Sequence, residues 1–94
     1  MKEGLRMKQA CKCALQEHMA KHLAKVRFEE KLTQDKFAEM LMINPRSYSN
    51  LENGRSCCCT LTFIMFLVFC CKDVEEFVSE LRVIIMNVLS DPEL

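Results

Sequence analysis

Apolar positions recur every three to four residues along most of the chain. From about residue 7 to 28, Cys11, Leu15, Met19, Leu23 and Val26 repeat at helical spacing with no Gly or Pro between them, which predicts a long first helix. Thr33 then stands as an N-cap before a short segment in which Phe37, Ala38 and Leu41 share one side. A second short segment follows. Asn44 is placed to cap its free N–H groups, Pro45 fits a first helical position that needs no donor, and Gly54 can take the left-handed conformation that closes a helix. At a hundred degrees per residue, Tyr48 and Leu51 fall on its inward side, and Arg46, Ser49, Asn50 and Asn53 on the opposite one.

The segment 33–53 therefore reads as two short helices joined by a tight turn, the spacing of a helix-turn-helix. Ala38 supports this reading, because helices crossing steeply need a small side chain at closest approach. The outward residues of the second helix are short hydrogen-bonding groups and one guanidinium, which suit base edges and phosphate oxygens.

Two further helices are expected, at about 60–69 and 73–89. Residues 60–69 are apolar on all sides. They are too few to cross a bilayer, and Asp73, Glu75 and Glu76 follow at once. No second strand pairs with them, so a central core helix is the expectation. So apolar a helix in so small a chain needs some cover from another subunit. The last helix opens at Asp73, with Glu76 three residues on in a capping-box pattern. Its stripe of Val74, Phe77, Val78, Leu81, Ile84, Ile85, Val88 and Leu89 is broader than docking on the core requires, and its second half reads as a self-associating surface. The first helix is also longer than the motif needs; its N-terminal half either lies against a partner subunit or stands in solvent.

Composition fits one domain over residues 1–94. Half of the residues are apolar, enough for a core without disulfides or a structural metal. Thirteen basic residues balance thirteen acidic ones, which tempers any expectation of strong phosphate binding. The charge is nevertheless bipolar: eight basic against four acidic residues leave +4 on residues 1–31, and two against six leave −4 from residue 72 onward. The seven cysteines form no Cys-x-x-Cys pair. His18 and His22 lie one helical turn apart with Cys11 on a similar face, but such histidines are more often packed or solvated than ligating, so no metal or cofactor is expected. The N-terminus has no leader pattern, and reduced thiols in the cytoplasm are the simplest account of the cysteines. No nucleophile has a base and an oxyanion site arranged around it, so an enzyme is not expected.

Arg27, Leu32-Thr33-Gln34, Phe37-Ala38, Leu41, Ile43, Ser49 and Leu51-Glu52-Asn53-Gly54 carry a further signal. Their order and spacing resemble the lambda-repressor-like, Cro/XRE-type helix-turn-helix family over about Leu23 to Val78. The resemblance implies an all-α, five-helix DNA-binding domain, here with an extended N-terminal helix. By the same resemblance Gln34 braces the recognition helix and contacts DNA, Arg46, Ser47, Ser49 and Asn50 enter the major groove, and Asn53 and Arg55 meet phosphates. Arg27 and Glu52 correspond to the family's buried ion pair. Three positions depart from the pattern. Met42 replaces the usual turn Gly, Pro45 displaces a common base-reading residue, and Tyr48 replaces a small aliphatic, its hydroxyl expected at the domain edge.

The functional expectation is a transcriptional regulator that reads double-stranded DNA with helix 45–53 as a homodimer, joined through the C-terminal helix and in one version also the N-terminal helix. The alternative is an antitoxin-like or adaptor module on the same scaffold, with weak or no DNA binding.

Overall fold

A computed structural model describes residues 2–90. Among them there is no strand, and the chain runs through α1 (Lys2–Glu29), α2 (Gln34–Met40), α3 (Pro45–Glu52), α4 (Thr60–Met65) continued by a π-helical turn (Phe66–Cys70), and α5 (Val74–Leu89). The all-α, five-helix expectation holds.

Capping sets the boundaries. Thr33 Oγ1 accepts from the Lys36 N–H at 3.1 Å, Asn44 Oδ1 from Ser47 N–H at 2.8 Å, and Asp73 Oδ1 from Glu76 N–H at 2.9 Å. Each satisfies a backbone donor that the first helical turn leaves free. The C-terminal ends share one solution. After α1, α2 and α3 the chain turns through a left-handed residue, Lys31 (φ 56°), Met42 (φ 60°) and Gly54 (φ 70°). In each case the next residue's N–H reaches back to the third residue from the helix end: Leu32 to Arg27, Ile43 to Ala38 and Arg55 to Asn50, at 2.9, 3.0 and 2.8 Å. These paired back-bonds retire carbonyls that would otherwise go unmet.

Met42 therefore does sit in the left-handed region that Gly usually occupies, at roughly 1–2 kcal/mol of backbone strain. Its side chain is exposed, so no packing conflict adds to that cost. At Gly54 a Cβ would meet only ordinary contact with Ala20, and the positive φ is what favours Gly there.

The core is built around α1. Met19, Leu23 and Val26 of that helix pack with Phe37 and Ala38 of α2, Leu41 of the turn, Tyr48 and Leu51 of α3, Phe66 and Cys70 of the π-helical turn, and Phe77 of α5. Ala38 is fully buried where α2 meets α3, and the Phe37 and Tyr48 rings lie 5.3 Å apart across the same contact.

Several boundaries differ from the sequence reading. The first helix begins at Lys2 rather than near residue 7 and ends at Glu29. The recognition helix ends at Glu52, with Asn53 as its C-cap. The segment 60–69 is not the central helix; α1 is. Its α-helical part stops at Met65, and a wider turn, closed by Cys71 N–H to the Phe66 carbonyl at 2.8 Å, continues to Cys70. Phe66 and Cys70 point into the core, while Leu61, Ile64, Val68 and Phe69 remain exposed. The long N-terminal half of α1 has a third fate that the pattern did not reveal. It packs along α5 of the same chain, where Cys11 and Leu15 share an apolar groove with Leu81 and Ile85.

Candidate nucleic-acid interface

The helix-turn-helix presents α3 by anchoring one side of it. Tyr48 and Leu51 are buried beneath the helix, and Arg46, Ser47, Asn53 and Arg55 are exposed around it. Ser49 and Asn50 are half-buried, so the side of α3 expected to read bases is partly recessed. Asn53 Nδ2 donates to Ser49 Oγ at 3.3 Å across one helical turn. Among the described residues neither Arg46 nor Arg55 makes an ion pair, which leaves both guanidinium groups available to an incoming anion.

A clamp fixes the far end of α3. Glu52 receives the Arg27 Nε–H on one carboxylate oxygen at 2.8 Å and the Gln34 side-chain amide on the other. Arg27 also donates to the Leu32 carbonyl at 3.3 Å, and its guanidinium lies 4.7 Å from the centre of the Phe28 ring. One carboxylate thus ties α1, α2 and α3 together. The hydrogen bond that Arg27 donates to Glu52 holds the guanidinium even more firmly protonated than usual. Gln34, expected to brace the recognition helix and touch DNA, is half-buried and its amide is spent on Glu52.

Tyr48 differs from expectation at its tip. The hydroxyl does not reach the domain edge; it is fully buried and has no hydrogen-bond partner, and burial pushes its ionisation well above the usual phenol range. Such an orphaned hydroxyl is a net cost to the fold. Tyr48→Phe, which removes the oxygen and keeps the ring, is expected to stabilise the protein by about 1 kcal/mol. In a thermal melt this corresponds to a midpoint raised by roughly 4–8 °C; a lowered midpoint would mean that the hydroxyl has a partner after all.

The cysteine run after Gly54 enters the site as a wall. Cys57, Cys58 and Cys59 line a groove of about 360 Å³ with Ser47 and Asn50 of α3. Cys59 is exposed and its thiol is shifted down by the Thr62 hydroxyl 3.3 Å away, whereas burial pushes Cys58 and Cys70 up. The side chain of Cys57 lies 4.0 Å from the Lys12 carbonyl, which brings the basic half of α1 beside this loop. Sequence reasoning weighed these cysteines for metal and redox chemistry; their place as a wall depends on a fold-back onto α1 that no periodicity records.

His18 and His22 are brought together, but not with Cys11. Glu80 of α5 completes the cluster, and Cys11 faces Leu81 and Ile85 instead. No spacing within α1 points to Glu80; the cluster depends on how α1 and α5 pack.

With this geometry in view, residues 20–70 match the model of a helix-turn-helix domain family. The chain belongs to that family. The matched region runs from the second half of α1 through the π-helical turn and contains the clamp and both motif helices. Neither the curated proteins nor the solved structures contain a match to the chain. Membership agrees with the Cro/XRE-type resemblance and points, in general terms, to a DNA-binding regulator. Among the described residues of this helix-turn-helix protein, no helix is long and apolar enough to cross a membrane.

Proposed function

We propose that this helix-turn-helix protein is a sequence-specific transcriptional regulator that lays α3 in the major groove of double-stranded DNA. The observation that carries this reading is the rigid outward presentation of Arg46 and its neighbours. Tyr48 and Leu51 anchor the helix from below, and the Arg27–Glu52–Gln34 clamp fixes its end. In this arrangement Arg46, Ser47, Ser49 and Asn50 read base edges, while Asn53 and Arg55 contact phosphates. Gln34 acts mainly as a brace, through its amide bond to Glu52.

The regulator acts as a homodimer in this proposal. Val78, Val83, Met86 and Leu89 leave apolar surface on α5, and Leu61 and Ile64 of α4 with Val68 of the π-helical turn do the same. A two-fold pair would set two recognition helices one duplex turn apart on a pseudo-palindromic site. With a formal net charge of zero, affinity for random DNA is expected to be modest, and the basic half of α1 supplies most of the long-range attraction.

The same apolar surfaces and neutral charge favour a second reading, an antitoxin-like or adaptor module that grips a protein through α4 and α5. A mobility-shift titration against random duplex at low and moderate salt separates the two. Retention that falls steeply with salt supports the regulator. No retention at either salt, together with none on duplexes recovered by pool-based site selection, supports the adaptor.

A further inference from the structure

The seam between α1 and α5 has an apolar stretch, where Cys11 and Leu15 meet Leu81 and Ile85, and beside it a polar one. There, where Leu or Phe would fill the space, the chain buries two imidazoles: His18 is 4% and His22 9% exposed. Burying two polar rings in a core this small carries a desolvation cost, and it is offset only if their nitrogens are engaged. Glu80 reaches in from α5, its Oε2 3.2 Å from His22 Nε2. His18, His22 and Glu80 each offer one ligand atom, and all three atoms lie within 4.8 Å of one another.

The surroundings orient these groups. The Phe77 carbonyl accepts from His18 Nε2 at 3.0 Å, which fixes the tautomer and leaves the lone pair on Nδ1. The Phe77 ring lies 4.6 Å from one imidazole and 4.8 Å from the other, a dry apolar support against which neither ring is free to tumble. The two imidazoles are themselves 4.5 Å apart, edge to face, as expected for residues one helical turn apart.

We propose that His18, His22 and Glu80 form a binding site for a divalent transition metal of the zinc class, clasping α1 to α5. Two imidazoles and a carboxylate are a borderline donor set that suits zinc, cobalt or nickel and not magnesium or calcium, which take oxygen ligands. Around a tetrahedral ion with bonds of about 2.1 Å, ligand atoms sit about 3.4 Å apart. Glu80 is half-buried, so the fourth position opens toward solvent and takes a water. Metal binding displaces the proton that an imidazole would otherwise share with Glu80, so the ion replaces the existing His22–Glu80 contact instead of adding to it.

The test uses the full chain, stripped with chelator and kept reduced, and titrated with zinc and with cobalt. Zinc is expected to raise the thermal midpoint and EDTA to reverse the rise. Cobalt is expected to give visible ligand-field bands without the near-ultraviolet charge-transfer band of a thiolate. Glu80→Gln and His22→Gln, each checked for native helicity by circular dichroism, are expected to weaken zinc binding at least tenfold. The proposal is overturned by the absence of any zinc effect on the wild-type chain, or by affinity unchanged in both folded variants. A thiolate band that persists in both variants would also overturn it, because the ion would then sit on the cysteines.

Discussion

Glu52→Ala is expected to destabilise the protein by about 3–5 kcal/mol, measured by urea or thermal unfolding. The side chain of Glu52 is 7% exposed and that of Arg27 17%, so removing the carboxylate leaves a guanidinium largely out of water beside the Leu32 carbonyl, the Phe28 ring and Tyr48, none of them charged. It also strands the Gln34 amide. Because Arg27 keeps some access to solvent, the lower end of that range is the expected value. Against a total stability of about 5–15 kcal/mol for a domain of this size, the loss is large enough to populate unfolded chains at physiological temperature. The more informative measurement is the double substitution. Arg27→Met with Glu52→Leu removes both charges together, and it should recover most of the lost stability, since an ion pair replaced by apolar groups of similar volume is often neutral. If the recovered protein still folds but binds its selected DNA site less well, the clamp aims α3 as well as stabilising it. If Glu52→Ala unfolds at the same denaturant concentration as the wild type, the pair contributes nothing and the account of how α3 is held fails.

The elements that were legible in the sequence share a property: their signals are local. Thr33, Asn44, Pro45, Gly54 and Asp73 act within one turn of their own position, and all five mark helix ends in the structure. The buried side of α3 was equally clear, because Tyr48 and Leu51 sit three residues apart on a helix whose other side is polar. What escaped depends on distant packing. Residues 60–69 looked central because every side of that segment is apolar, yet hydrophobicity says only that burial is favourable, not that enough chain exists to supply it. Competition for core volume was won by α1, and Leu61, Ile64 and Val68 were left outside. The split of that segment into an α-helical and a π-helical part rests on the wider bond from Cys71 N–H to the Phe66 carbonyl, which local propensity does not encode. For Tyr48, the pattern placed the ring correctly, but the hydroxyl's environment is set by burial among groups distant in sequence, Arg27 and Cys70 among them. Glu80, at a separation of 58 residues from His22, lay beyond any local rule.

Arg46→Ala is expected to weaken binding to a selected site by about 1–3 kcal/mol, a loss of roughly 5- to 150-fold in affinity, and to relax base preference at one position of that site. The argument is geometric. Arg46 stands in the first turn of α3, where a helix entering the major groove brings its N-terminal residues nearest to base edges. It is exposed and, among the described residues, unpaired, so its planar guanidinium keeps the bidentate geometry that matches guanine without first breaking an internal contact. With Pro45 contributing no hydrogen-bonding side chain and Asn50 recessed beside the cysteine wall, Arg46 carries a larger share of the discrimination than one residue in a more polar face would. Arg55→Ala is the contrasting variant. It should weaken binding to all duplexes alike and lower the dependence on salt by about one ion, because a phosphate contact positions the protein without reading sequence. Stability should not move in either case, as both side chains are on the surface. The comparison requires affinities on selected and random duplexes at two or more salt concentrations. Equal affinity of wild type and Arg46→Ala for the selected site would mean that α3 does not present this face to bases, and the assignment of the interface would have to be abandoned.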